Sequence, residues 1–278
     1  MSEHSIDFIV SCMATSTLYK EIQKIQTEHR LKLAEIWRIK EGEHVLEIGC
    51  GQGDTTAVLA YMVGEKGQVH GVDLASPSYG EPITLGDSMA YLKKSKLGKQ
   101  VKVDFEFDIL SANYKVEEFD AIVISHCSWY MSSPDILIDI LKKVRPWGKK
   151  LCFAEWDTRV EQAEQVPHFL AALIQAQYEC FKEVSISNIR TLLSRKDIEH
   201  AFKEGGWDVM DEVSIYSPNL QDAEWEVQQT LHAFETEFDS LKMPRKMNSL
   251  LRTEISLLEE AVKGRKIKPL NVFALVGE

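Results

Sequence analysis

The chain has 278 residues, enough to bury a large core in one elaborated domain or two small ones. Hydrophobic residues make up 44% and charged residues 27%, as in ordinary globular proteins, and a formal net charge of −11 argues against broad binding to nucleic-acid phosphates. No apolar run approaches about 18 residues, the acidic start lacks the basic flank of a signal peptide, and five scattered cysteines without a CxxC suit a reduced cytoplasmic setting rather than a zinc site or disulfide framework.

Residues 1 to 40 read as helical, because Leu18, Ile22, Ile25, His29, Leu33, Ile36 and Trp37 recur at three- and four-residue steps, and Gly42 ends the segment. A short apolar strand, 45–48, then runs into glycines at alternate positions, Gly49, Gly51 and Gly53. A helix over 54–62 follows, Gly64 and Gly67 mark its exit, and a second strand, 69–72, ends on Asp73. Strand, turn, helix and strand in this order imply parallel pairing and a right-handed crossover. Glycine lets the backbone turn sharply and lets a ligand approach the main chain, while the next helix points free N–H groups into the same crevice. Asp73 at the strand end is placed to accept both hydroxyls of a ribose, and Glu47 precedes the first glycine.

A long Pro-, Gly- and Ser-rich loop leaves Asp73 and leads to a helix over 88–95. Residues 101–109 alternate and read as a third strand with Asp108 at its end. The almost unbroken apolar run 119–125 fits a central strand of a parallel sheet. His126 to Met131 follow it, and Pro134 opens a helix reaching Arg145. A fifth strand, 151–157, ends at Trp156 and Asp157, both expected to face the crevice. Residues 158–190 read as a helical insertion, and Ser194 N-caps a helix ending at Gly205. A sixth strand at 207–216, a helical excursion at 219–263 and a last strand at 270–276 complete the chain.

Glu47-Ile-Gly-Cys-Gly-Gln-Gly-Asp54 followed by Val-Asp73 resembles the class I S-adenosylmethionine (SAM)-dependent methyltransferases. A nicotinamide-binding turn would carry a third glycine where Asp54 stands. The alternative to either ligand site is a glycine turn kept for helix–strand packing. The resemblance is clear over residues 43–157 and weaker over 191–216 and 269–278. It implies an α/β fold: a doubly wound, mostly parallel seven-stranded sheet with helices on both faces and helical lid insertions. The division it implies is one methyltransferase domain. Residues 1–40 form an N-terminal cap, 41–157 the SAM-binding core, 158–190 a helical insertion, 191–216 and 268–278 the rest of the core, and 217–267 a helical lid.

By the same resemblance, SAM is the cofactor and S-adenosylhomocysteine the product. Glu47, Gly49, Cys50, Gly51, Gly53, Asp73, Leu74, Asp108, Ile109, Ser125 and His126 are its expected contacts, with Asp108 on the adenine amino group. His126 is a candidate general base, or offers only its backbone carbonyl to the methionine amino group. Tyr130 and Trp129 form an aromatic wall against the sulfonium or simply pack. Cys127 lacks a readable partner for nucleophilic work, and Cys50 reads as a packing residue. No metal site is expected. The leading reading is direct in-line methyl transfer to a small or medium organic molecule. The alternatives are a cyclopropane-forming enzyme acting on lipid and a non-catalytic SAM-binding protein. The partners expected are a small-molecule substrate, no nucleic acid and no membrane, for a monomer or homodimer.

Overall fold

A computed structural model of the chain describes residues 3–15, 19–183, 185 and 187–278. Two helices, α1 (Glu3–Ser11) and α2 (Lys20–Ile36), precede the first strand. The core then alternates: β1 (His44–Ile48), α3 (Asp54–Val63), β2 (Gln68–Val72), α4 (Leu85–Lys94), β3 (Val101–Asp104), β4 (Phe119–Ser125), α5 (Pro134–Val144) and β5 (Gly148–Trp156). After it come α6 (Val166–Glu179), α7 (Arg195–Glu204), β6 (Val209–Ile215), α8 (Asp222–Thr236), α9 (Arg245–Val262) and β7 (Val272–Gly277).

The seven strands order as β3-β2-β1-β4-β5-β7-β6. β7 is antiparallel to both neighbours, and the other pairings are parallel. The chain steps outward from β1 to β3, then returns to β4 and steps the other way. Right-handed crossovers therefore place α3 and α4 on one face and α5 on the other. α1 and α2 pack with α3, and α5 packs with α7. Ile48 pairs with both Val72 and Ile124, so β1, β2 and β4 end level with one another. Strand order reverses between β1 and β4, which opens a crevice at their carboxyl ends. Ala121, Ile122, Val123 and Ile124 have no exposed surface, as a strand covered on both faces requires. A second hydrophobic cluster joins α6, α8 and α9 through Ile174, Tyr178, Val227, Leu251, Ile255 and Leu258.

Several boundaries differ from the sequence expectation. Among the described residues of 1–40 there are two helices, α1 and α2, rather than one; Leu18 lies outside the described residues. α2 stops before Gly42, because Arg38 turns to a left-handed φ of 54°. α4 starts at Leu85 instead of 88, since Thr84 caps it by accepting the Asp87 N–H at 3.1 Å. β3 ends at Asp104, not at 109. Glu106 takes a φ of 53°, and the N–H groups of Glu106 and Phe107 bond to Ala75 O and Asp73 O. Asp108 consequently sits on a loop zipped to the residues after β2. The 219–263 excursion breaks into α8 and α9 around Pro244, and β5 begins at Gly148 rather than 151. Ser194 does cap α7, within a reciprocal capping box with Asp197.

Candidate active site

The three glycines of the turn after β1 are each left-handed: φ is 75° at Gly49, 52° at Gly51 and 89° at Gly53. The three residues have different surroundings. A Cβ on Gly49 would stand 2.7 Å from Cys127 Sγ, so this glycine permits the loops after β1 and β4 to touch. A Cβ on Gly53 would press on the flexible end of Met89 at 2.9 Å. A Cβ on Gly51 would meet nothing within 4 Å. The turn is thus open above Gly51, where the main chain faces the crevice, and Gly53 caps the N-terminus of α3. Cys50 is buried, and burial raises its thiol far above the usual range, in line with packing rather than reactivity.

Asp73 is shaped by this turn. Its Oδ2 accepts the Gly51 N–H and its Oδ1 the Ala75 N–H, both at 2.8 Å. Each carboxylate oxygen retains a second lone-pair direction for a hydroxyl. Leu74 beside it is 73% exposed. Across the zipped loops, Asp108 is exposed, accepts the Leu110 N–H at 2.9 Å and the Ser111 hydroxyl at 2.6 Å, and Ile109 is buried. The Ser111 bond, with Leu110, holds the Asp108 carboxyl below its ordinary pKa.

Glu47 is 2% exposed within β1 and accepts the Thr56 hydroxyl at 2.6 Å. Burial pushes its carboxyl up to about 8; the Thr56 bond and the Arg30 charge pull the other way, and Asp54 and Asp73 add to the rise. A carboxyl in that state is poised to ionise against an arriving cation.

Beyond β4 the chain is strained. His126 is a non-glycine residue at φ 52°, tied by its N–H to Ala154 O at 2.9 Å. Its Nε2 lies 3.1 Å from His29 Nε2 of α2, and its ring packs on Trp156 with centroids 4.9 Å apart. Its Nδ1 is buried without a hydrogen bond, 3.7 Å from Glu155 Oε1. The Ser125 hydroxyl is also buried and unpartnered. Cys127 bonds Ile48 O at 3.3 Å, and burial raises its thiol well above normal. Trp129 is buried and donates to Leu193 O at 3.1 Å, so it packs rather than lining the crevice. Tyr130 is 40% exposed, and burial of its hydroxyl raises its pKa. Trp156 sits between His126 and His168, whereas Asp157 turns to Arg159, which donates from Nε and Nη2.

The helix α2 lies across this crevice through polar contacts. Gln23 donates to Asp54 at the start of α3, and Gln26 to Asp222 at the start of α8, each at 2.6 Å. His29 reaches both His126 and, through Nδ1, Ser217 Oγ at 2.9 Å. Sequence reasoning placed His29 only on a packing stripe and missed Glu155, Thr56 and Ser217. A glutamate inside the apolar run of the fifth strand was the one sequence signal available for Glu155. Among the described residues no three His, Cys, Asp or Glu side chains converge on a metal position, and no helix is long and apolar enough to cross a membrane.

Comparison with known proteins agrees with the geometry. A family profile described as "Methyltransferase domain" matches residues 21–212. A solved structure described as a cyclopropane-fatty-acyl-phospholipid synthase-like protein from Lactobacillus casei ATCC 334 superposes with a TM-score of 0.88 and 31% identity, covering 99% of each chain. Among curated proteins, methyltransferase phomM' of Diaporthe leptostromiformis is 28% identical over 156 residues, 48% of this chain and 40% of that protein. Demethylmenaquinone methyltransferase of Lactococcus lactis is 24% identical over 151 residues, 49% of this chain and 55% of that protein. The shared stretch therefore spans about half the length of these curated relatives. With a glycine turn open above Gly51, acids at the ends of β1 and β2, and a profile match across most of the chain, the protein belongs to the class I SAM-dependent methyltransferase family.

Proposed function

We propose that the chain is a SAM-dependent methyltransferase acting on a small or medium organic acceptor by direct in-line transfer. The observation that carries this reading is the open face of Gly51, whose N–H is held by Asp73, with Glu47 buried on the strand before it and α2 bonded to the start of α3. SAM supplies an already activated methyl group on a sulfonium, so the chain's task is placement and exclusion of water rather than activation. In this reading Gly49, Gly51 and Gly53 admit the cofactor to the main chain, and Cys50 supports the turn. Asp73 accepts the ribose hydroxyls, Leu74 and Ile109 flank the adenine, and Asp108 accepts its amino group. Glu47 meets the methionine ammonium with Ser125 and the backbone of His126. The buried orphan atom Ser125 Oγ supports the placement of a polar ligand group here.

His126 contributes its backbone rather than its ring, because both imidazole nitrogens face protein groups, His29 and Glu155. Tyr130 offers its half-exposed ring to the sulfonium. α1, α2 and the helices α6, α8 and α9 act as the cap over the acceptor. The second reading, a cyclopropane-forming enzyme on unsaturated lipid, is favoured by the description of the 31%-identical neighbour alone. Release of S-adenosylhomocysteine from SAM separates the two when amines, phenols and carboxylic acids are tested beside vesicles of unsaturated phospholipid. Product formed from the small acceptors supports the first reading. Product formed only with vesicles supports the second, and SAM binding without any product leaves a binding protein.

A further inference from the structure

Four polar groups from four parts of the chain stand in line behind the crevice. Ser217 follows β6, His29 lies on α2, His126 follows β4 and Glu155 is the penultimate residue of β5. The links are Ser217 Oγ to His29 Nδ1 at 2.9 Å, His29 Nε2 to His126 Nε2 at 3.1 Å, and His126 Nδ1 to Glu155 Oε1 at 3.7 Å. Two imidazole nitrogens facing each other at hydrogen-bond distance hold one proton between them, so the tautomers of the two rings are coupled. With His126 neutral, the satisfactory arrangement has His29 donating from Nε2 and Ser217 donating to His29 Nδ1. His126 then carries its own proton on Nδ1, toward the Glu155 carboxylate. The opposite arrangement would set a bare nitrogen lone pair against that carboxylate.

Glu155 is 1% exposed and already accepts the Ser128 N–H, the Ser128 hydroxyl and the Trp156 N–H. A buried carboxylate of this kind requires a compensating positive group, and His126 is the partner set 3.7 Å from it. The line is therefore arranged to accommodate a protonated His126 between Glu155 and a neutral His29.

We propose that His29 is a positioning residue for His126 and that Ser217–His29–His126 is a proton relay between Ser217, after β6, and the buried His126 imidazole. When His126 is neutral, His29 holds its proton on Nε2. On uptake, the Nε2 proton of His29 passes to His126 Nε2, the Ser217 hydroxyl proton passes to His29 Nδ1, and an outside proton restores the hydroxyl. One proton enters, His29 stays neutral in its other tautomer, and Ser217 turns from donor to acceptor. The reverse sequence discharges His126 without opening α2. The charged and titratable groups facing the pair are Glu155 from β5, His168 from α6, and Arg30 and Lys32 from α2. Burial first, then the His126 charge, hold the His29 imidazole well below its ordinary pKa. His168 is likewise held down to about 3 by burial and accepts the Leu270 N–H at 3.0 Å, which removes it as a competitor.

The relay stands independently of the methyl-transfer reading, and its test uses the ligand-free protein, so failed turnover would leave it standing. Long-range nitrogen NMR of histidine-labelled protein follows both rings against pH. The expected result is one midpoint shared by the two rings. His126 gains a proton there, while the Nδ1 and Nε2 signals of His29 exchange character and His29 gains no charge. His29→Gln, which can still accept from His126, should leave the His126 midpoint near its original pH. His29→Phe should move it to lower pH. A His29 that keeps one tautomer while His126 titrates, or that takes up a proton at its own midpoint, overturns the relay. So does a His126 midpoint indifferent to His29→Phe in a protein that circular dichroism shows to be folded.

Discussion

Gly49 and Gly51 share a left-handed backbone yet differ in what a methyl group would meet, and that difference separates fold from binding. An L-residue at either position costs about 1–2 kcal/mol in backbone strain. Gly51→Ala adds nothing beyond that within the protein, so it should remain folded and lose most cofactor affinity. Gly49→Ala adds a contact of 2.7 Å with Cys127 Sγ and should lower the melting temperature further. Paired melting and binding measurements check this, and Gly51→Ala with undiminished affinity would remove the ligand from the turn. Glu47 makes a second prediction. An unfolded glutamate titrates at about 4.3, and the folded carboxyl at about 8. Between these values the folded state holds a proton that the unfolded state lacks, so this group's contribution to stability falls as pH rises through that window. Melting temperatures from pH 5 to 8 should therefore decline less in Glu47→Gln than in the parent protein. Equal slopes would mean that Glu47 ionises normally.

At the scale of elements, the strand–turn–helix–strand unit was legible because alternate glycines and a terminal acid leave a dense local signature. Element ends were less so. The stretch after Asp104 alternates like a strand, but Glu106 turns left-handed and the loop bonds to Asp73 and Ala75 instead of extending the ladder. The Thr84 cap and the Arg38 turn likewise depend on single backbone angles that periodicity does not encode. The cap is held differently from the core. α2 meets the crevice through Gln23, Gln26 and His29, and α6, α8 and α9 share their own apolar cluster. Leu31, Leu33 and Ala34 anchor α2 in the main core, so the polar stretch over the crevice, from Gln23 to His29, is the part that opens more readily than the sheet. S-adenosylhomocysteine should therefore raise hydrogen-exchange protection in α2 and in the first turns of α3 and α8, beyond the glycine turn itself. Protection confined to residues 49–73 and 108 would contradict a closing cap.

For the whole molecule, the reversal of strand order between β1 and β4 is the feature that turns local residues into a site. Asp73, Glu47 and the post-β4 loop were legible because each ends a recognisable strand. His29, Glu155 and Ser217 were not, because they lie 126 and 62 positions apart along the chain and meet only through the tertiary fold. The same crevice yields the most direct test of the account. Isothermal titration of S-adenosylhomocysteine should give saturable one-to-one binding to the parent protein, and a nicotinamide dinucleotide should give none. Asp73→Ala should weaken the binding by about 1–3 kcal/mol, the loss expected for hydrogen bonds to a charged acceptor. It should also lower stability, because the Gly51 and Ala75 amides lose their partner. No binding heat with S-adenosylhomocysteine, or an affinity unchanged in folded Asp73→Ala, would contradict the central claim that this crevice is the cofactor site.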